Sequence, residues 1–121
     1  MSGEMYKVSV VTRQERLKDF QDALNEIGVI AYTVSAVEGF GTQLSFTETY
    51  RGVKQEIHLL PKVLVEIVVS TVPVDDIIEV AKAQLRTEEP GDGKIFVSKV
   101  TKVVRIRTGE LDYAALTNDA K

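Results

Sequence analysis

The sequence predicts an α+β domain in which an antiparallel four-stranded sheet carries two helices on one face. Segments of strand composition and of helical period alternate as β-α-β, a long polar stretch, then β-α-β again. Two βαβ halves of this length fit the split βαβ sandwich, the ferredoxin-like α+β fold. The 121 residues suit a single domain spanning 1–121, and a 44% hydrophobic content is enough for one core.

Each element has its own signal. Tyr6–Thr12 is β-rich and reads as a strand. Thr12 stands three residues before Glu15, the spacing of a capping box. Leu17, Phe20, Leu24 and Ile27 fall at helical spacing, and Gly28 ends that helix. Val29–Val37 reads as a second strand running into Gly39-Phe40-Gly41. From Thr42 to about His58 the chain is polar, mixed in charge and without steady period, so a long functional loop is expected there. Val63–Val69 is nearly continuous in apolar residues and is expected to be buried on both faces, other subunits covering the second. Thr71-Val72-Pro73 opens a second helix with Val74, Ile77, Ile78, Ala81 and Leu85 as its apolar stripe. Thr87–Gly93 reads as a tight loop, and Lys94–Val100 and Lys102–Arg107 as extended. The remainder, about 111–121, reads as a flexible polar tail with Leu111, Tyr113 and Leu116 as anchors.

Composition narrows the function. With no cysteine, disulfides, thiolate metal sites and cysteine nucleophiles are excluded; a single histidine excludes a His-rich metal site. A net charge of -3 argues against nucleic acid as a partner. The first residues lack the regions of a signal peptide, and no apolar run approaches the roughly 20 residues of a membrane span. A cytoplasmic, soluble protein without direct membrane insertion is expected. No Walker GxxxxGK[ST] is present, and no general base stands beside a phosphate-binding motif, so an enzyme is not expected.

Two motifs carry chemistry. In Gly91-Asp92-Gly93-Lys94 the glycines permit unusual φ and close approach to a phosphate, successive amides form an anion-binding concavity, and Lys94 adds a charge. Taken alone, this is as readily a plain glycine turn. Arg105 and Arg107 alternate on an expected strand, which puts two guanidinium forks on one face, an arrangement suited to polyphosphate or to surface ion pairs. Glu66 interrupts an apolar strand and, if buried, needs a partner. His58 reads as a loop-exposed histidine.

From Tyr6 to Glu110 the chain resembles the PII signal-transduction family of nitrogen regulation. The resemblance is carried by Thr33-Val34-Ser35 with Gly39-Phe40-Gly41, Thr47-Glu48 with Tyr50-Arg51-Gly52, and Leu60-Pro61-Lys62-Val63 with Glu66–Val69. Gly91–Val97 and Arg105-Ile106-Arg107-Thr108-Gly109-Glu110 complete it. It implies a homotrimer with ATP or ADP in three clefts between subunits. A T-loop, about 42–58, docks onto a target transporter or metabolic enzyme, which can bring the protein to a membrane. The nucleotide set implied by the resemblance is Val11, Thr33, Gly39, Phe40, Gly41, Lys62, Glu66, Thr87, Gly91, Asp92, Gly93, Lys94, Arg105 and Arg107. Within it, Glu66 lies near the adenine, Thr33 near the base or ribose, and both arginines reach ATP phosphates across the subunit boundary. Gln43 matches a ligand of magnesium held by ATP, and Lys62 matches the partner of a 2-oxoglutarate carboxylate. Tyr50, Arg51, Gly52, Val53, Lys54 and Gln55 fall at the target-binding tip.

The chain departs from the family in that tip. Gln55 replaces the tyrosine that is nucleotidylated in some members, and Val53 a serine phosphorylated in others, so neither modification is expected. Leu44-Ser45 replaces the usual Lys-Gly and Phe46 a common histidine, which removes a cation near the expected magnesium site. Glu88 and Glu89 precede the glycine turn and repel an anion, an effect that favours ADP over ATP. Three rivals stand beside this reading: a slow ATPase, a sensor of another adenine nucleotide or small ligand without 2-oxoglutarate response, and a purely structural trimer.

Overall fold

The computed structural model describes residues 4–43 and 56–117, with residues 40–43 and 56–58 described in backbone only. Strand β1 spans Met5–Thr12, helix α1 Leu17–Glu26, β2 Thr33–Gln43, β3 Glu56–Val69, α2 Val74–Leu85, β4 Gly93–Val100 and α3 Asp112–Thr117. A 3-10 turn at Gln14–Arg16 precedes α1. The sheet order is β2-β3-β1-β4, and all three pairings are antiparallel. This is the α+β ferredoxin-like arrangement that the element order predicts.

The core lies between one sheet face and the helices. Val8 and Val10 of β1 and Val65, Ile67 and Val69 of β3 meet Phe20 and Leu24 of α1 and Ile77, Ala81 and Leu85 of α2. Each large side chain buried there contributes about 1.5–3 kcal/mol of apolar transfer. Helix α1 ends in a Schellman motif: Gly28 N donates to Asn25 O at 3.1 Å and Val29 N to Leu24 O at 3.0 Å. Gly28 supplies the positive φ of 98° that this motif needs.

Several sequence expectations change. Thr12 does not cap α1. Its hydroxyl donates to the Asp92 carbonyl at 2.8 Å, and the helical start belongs to the 3-10 turn after Arg13. Strand β2 begins at Thr33 rather than Val29, although Val29 is buried in the core. The expected long loop is shorter at both ends. Thr42 and Gln43 pair with Ile57 and Glu56, and His58 pairs with Gly41. In the single chain Val63, Val65, Ile67 and Val69 of β3 are buried, while Leu64, Glu66 and Val68 are half-buried on the face expected to meet other subunits. The helices cover one face of the sheet, while Leu64, Val68 and Phe96 on the second stay partly exposed.

The segment Lys102–Arg107 is not a strand. Only Val104 makes a bridge, to Leu111, and Ile106–Thr108 form a turn. Arg105 N donates to Glu110 O at 2.9 Å and Gly109 N to Arg105 O at 2.7 Å, with Gly109 at φ 77°. Part of the expected flexible tail is helix α3, whose Ala115 is buried.

Candidate functional site

The strand register sorts the candidate residues by face. Paired residues of an antiparallel sheet share a face. Val11 pairs with Leu64 and Lys94, Thr33 with Glu66, Gly39 with Leu60, and Val37 with Lys62. Val11, Thr33, Gly39, Lys62, Glu66 and Lys94 therefore all lie on the sheet face turned away from α1 and α2. Phe96, 55% exposed, lies there too, opposite Ser9.

At one end of this face stands the glycine turn. Pro90 followed by Gly91 at φ 98° is the residue order of a type II turn. Gly93 follows at φ 117°, and a Cβ there would lie 1.8 Å from the Val11 carbonyl oxygen. Only glycine lets β4 approach β1 at this rung.

Donors from neighbouring strands hold the carbonyls of this turn. Lys62 Nζ donates to Gly91 O at 2.6 Å, and Arg13 Nε donates to the same oxygen at 3.2 Å. Arg13 Nη2 also donates to Pro90 O. The Asp92 carboxylate accepts the Thr87 amide at 2.7 Å and the Thr87 hydroxyl. The Thr87 hydroxyl, then its backbone N–H, hold the Asp92 carboxyl below its ordinary range, and Arg13 adds a favourable field. The turn is thus fixed on both sides, with three cations, Arg13, Lys62 and Lys94, around it.

Lys62 also touches the hairpin of β2 and β3. A Cβ on Gly39 would come within 3.2 Å of the Lys62 stem, so the glycine makes room for the lysine to cross it toward Gly91. Glu66 is not buried alone. It pairs with Lys7 at 3.1 Å, the two side chains being 31% and 40% exposed.

The two arginines take different surroundings. Arg105 is only 13% exposed and pairs with Glu110 at 2.5 Å. Its Nη2 donates to Ala115 O at 2.9 Å and Ala114 O at 3.3 Å, which ties α3 down. Arg107 is exposed beside Ile106, itself 98% exposed at the tip of the turn. The expected common strand face for the pair is absent, because Val104 to Glu110 folds into a turn.

The structure brings Val11, Lys62, Thr87, Gly91, Asp92, Gly93 and Lys94 to one end of the sheet, with Thr33 and Glu66 further along the same face. Arg105 and Arg107 are placed elsewhere: β4 carries the chain from Gly93 to Val100, roughly 23 Å at strand rise, before they appear. Phe40, Gly41 and Gln43 occupy β2 in backbone. Tyr50, Arg51, Gly52, Val53, Lys54 and Gln55, like Leu44-Ser45 and Phe46, lie outside the described residues. Arg13 escaped the sequence reading. A single arginine after a strand forms no motif; only the Thr12–Gly93 register puts it beside the turn.

Comparison with known proteins agrees with the fold. The family described as nitrogen regulatory protein P-II matches residues 5–110. The chain is 49% identical over 110 residues to a nitrogen regulatory PII-like protein of Bacillus subtilis (strain 168), covering 91% of this chain and 95% of that one. It is 40% identical over 112 residues to nitrogen regulatory protein GlnK of Escherichia coli (strain K12), covering 93% and 100%. Among solved structures, an ATP complex of B. subtilis GlnK aligns with a TM-score of 0.81 at 43% identity, covering 96% of this chain and 99% of that one. Arabidopsis thaliana PII bound to citrate aligns with a TM-score of 0.75 at 36% identity, covering 94% and 91%.

Proposed function

Because this chain belongs to the nitrogen regulatory protein P-II family of signal-transduction regulators, we propose that it binds ATP or ADP between copies of itself and controls a target protein through the segment joining β2 to β3. One observation carries the reading. The glycine turn and the arginine segment stand at opposite ends of β4. A site between copies can take the turn from one protomer and Arg107 from a neighbour. The relative solved with ATP supports the nucleotide as ligand.

The donor set fits a polyphosphate. Lys62, Lys94 and Arg13 supply positive charge around the turn, and Arg107 stands exposed for a neighbouring site. Arg105 acts mainly by shaping the Arg107 turn and holding α3. Magnesium, as the family resemblance implies, enters with the nucleotide. In this reading, which the family resemblance supports, Gln43 at the end of β2 completes its ligands and Lys62 meets a 2-oxoglutarate carboxylate. Citrate on the plant relative supports a carboxylate ligand.

The open sheet face supports a homotrimer, in which neighbouring copies cover Leu64, Val68 and Phe96. Regulation follows from a population shift. A nucleotide moves the β2–β3 hairpin only by the difference in its affinity for the two positions. Lys62 is the physical link, since it touches Gly39 and Gly91 together. The target is a transporter or a metabolic enzyme, met in the cytoplasm or at the membrane. No helix of the described residues is long and apolar enough to cross a membrane.

Calorimetric titration with ATP and with ADP, beside sedimentation of the same sample, tests the reading. One nucleotide per chain on a trimer is expected, and Arg107→Ala weakens it. A monomer that ignores millimolar adenylates refutes it. Repeating the titration with 2-oxoglutarate decides the finer point: unchanged ATP affinity assigns the chain to sensors without that response.

A further inference from the structure

The side chain that most constrains the glycine turn is Arg13, directly after β1. Its guanidinium spans two successive carbonyls, Pro90 O and Gly91 O. A Cβ on Gly91 would come within 3.0 Å of Arg13 Nη2, so the guanidinium packs against the turn itself. Lys62 donates to the same Gly91 oxygen, and Thr12 holds the next carbonyl, that of Asp92. Three consecutive carbonyls are therefore fixed by side chains from β3 and the end of β1.

Resting on the reading of this turn as a phosphate site, we propose that Arg13 is a positioning residue for the nucleotide. In a trans peptide the C=O and N–H of one plane point in opposite directions. By holding the carbonyls of Pro90 and Gly91, Arg13 turns the N–H groups of those two planes away from itself. Gly91, at a φ of 98°, would otherwise sample many orientations. The bidentate fork fixes both planes together, which a single ammonium cannot do. Arg13 acts through the peptide planes and does not itself meet the nucleotide. Its loss weakens ATP and ADP by the same factor, because the turn serves the phosphates they share.

The test uses the full chain. ATP and ADP are titrated by calorimetry into wild type, Arg13→Ala, Arg13→Lys and, as a control of equal charge change, Lys18→Ala, whose side chain pairs with Asp22 at 3.0 Å on α1. Amide NMR of Gly91 and Asp92 is recorded without ligand. Freeing the turn predicts roughly 10- to 100-fold weaker binding of both nucleotides by Arg13→Ala, the equivalent of about one charge-assisted hydrogen bond. Their affinity ratio stays within about twofold, the Gly91 and Asp92 amides both shift, and Arg13→Lys recovers part of the loss. Lys18→Ala matches wild type. An Arg13→Ala protein within about twofold of wild type overturns the proposal, and so does a loss confined to ATP, which would make Arg13 a ligand of the terminal phosphate. Should Arg13→Ala fail to fold, Arg13→Lys decides: affinity and Gly91 and Asp92 amide shifts equal to wild type overturn it. Wild type that binds neither nucleotide refutes the proposed function instead.

Discussion

Gly93→Ala probes the rung on which the glycine turn is built. The added Cβ would lie 1.8 Å from Val11 O, 2.9 Å from Val11 C and 3.0 Å from Thr12 Cα. Ordinary C···O contact begins at about 3.3 Å, so the shortfall is about 1.5 Å. The obstacle is backbone, and no side-chain rotation relieves it. Strands β1 and β4 must separate by about a third of their normal spacing, which breaks the ladder at its end. Two terminal hydrogen bonds at about 1 kcal/mol each, with about 1–3 kcal/mol for alanine at positive φ, give about 3–5 kcal/mol. For a domain of this size that lowers Tm by about 10–20 °C. Scanning calorimetry measures it, with Gly109→Ala as comparison. Gly109 also has positive φ, but nothing lies within 4 Å of its would-be Cβ. It should lose only about 1–2 kcal/mol. A Gly93→Ala protein melting within about 3 °C of wild type, or level with Gly109→Ala, would refute the steric argument.

Other outcomes follow from the same geometry. Arg105→Ala removes the Glu110 ion pair and the donors to Ala114 and Ala115; α3 should loosen by about 2–3 kcal/mol, seen as faster hydrogen exchange over 112–117, and unchanged protection would contradict the clasp. The Asp92 carboxyl is held below its ordinary value of 3.8, first by the Thr87 hydroxyl. A depressed folded pKa means that the lock on the turn is complete above 3.8 and is lost as pH falls through the lower folded value. NMR titration should place the Asp92 midpoint below 3.8, and Thr87→Val should raise it; a midpoint unmoved by that change counts against the lock. Glu66→Gln breaks only a partly exposed pair with Lys7, so it should cost about 0–1 kcal/mol in a urea melt. A much larger loss would give this carboxylate a structural role that the pair does not explain.

The fold was legible because periodicity reports burial directly. Phe20 and Leu24 on α1, and Ile77, Ala81 and Leu85 on α2, face the core as their spacing requires. Boundaries failed where hydrophobicity and pairing part company. Val29 is apolar and buried, yet it follows the Gly28 cap as irregular chain, so β2 starts four residues later than composition says. At the other end, residues 56–62 mix polar and apolar side chains without steady period, and hid a strand that pairs with β2 alone. Pro61 fits there for the same reason: β1 reaches only to Val63, so no partner waits on the side of its missing N–H. The glycine turn was legible as a motif, and Lys62 through the family resemblance. The different settings of Arg105 and Arg107 were not, since alternation along a chain predicts a shared face only where the chain is extended. Arg13 was invisible because its role exists only in the pairing of distant strands.

The length of the β2–β3 pairing beyond β1 has a mechanical consequence. Seven rungs, from Val37–Lys62 to Gln43–Glu56, run past the last residue of β1. At strand rise they form a two-stranded arm about 20 Å long. An arm of that radius multiplies rotation into travel: a 10° swing at its base carries the far end about 3–4 Å. Lys62 sits at the fulcrum and grips the glycine turn, so an adjustment too small to matter at the base arrives at Gln43 and Glu56 as a distance comparable to an atomic contact.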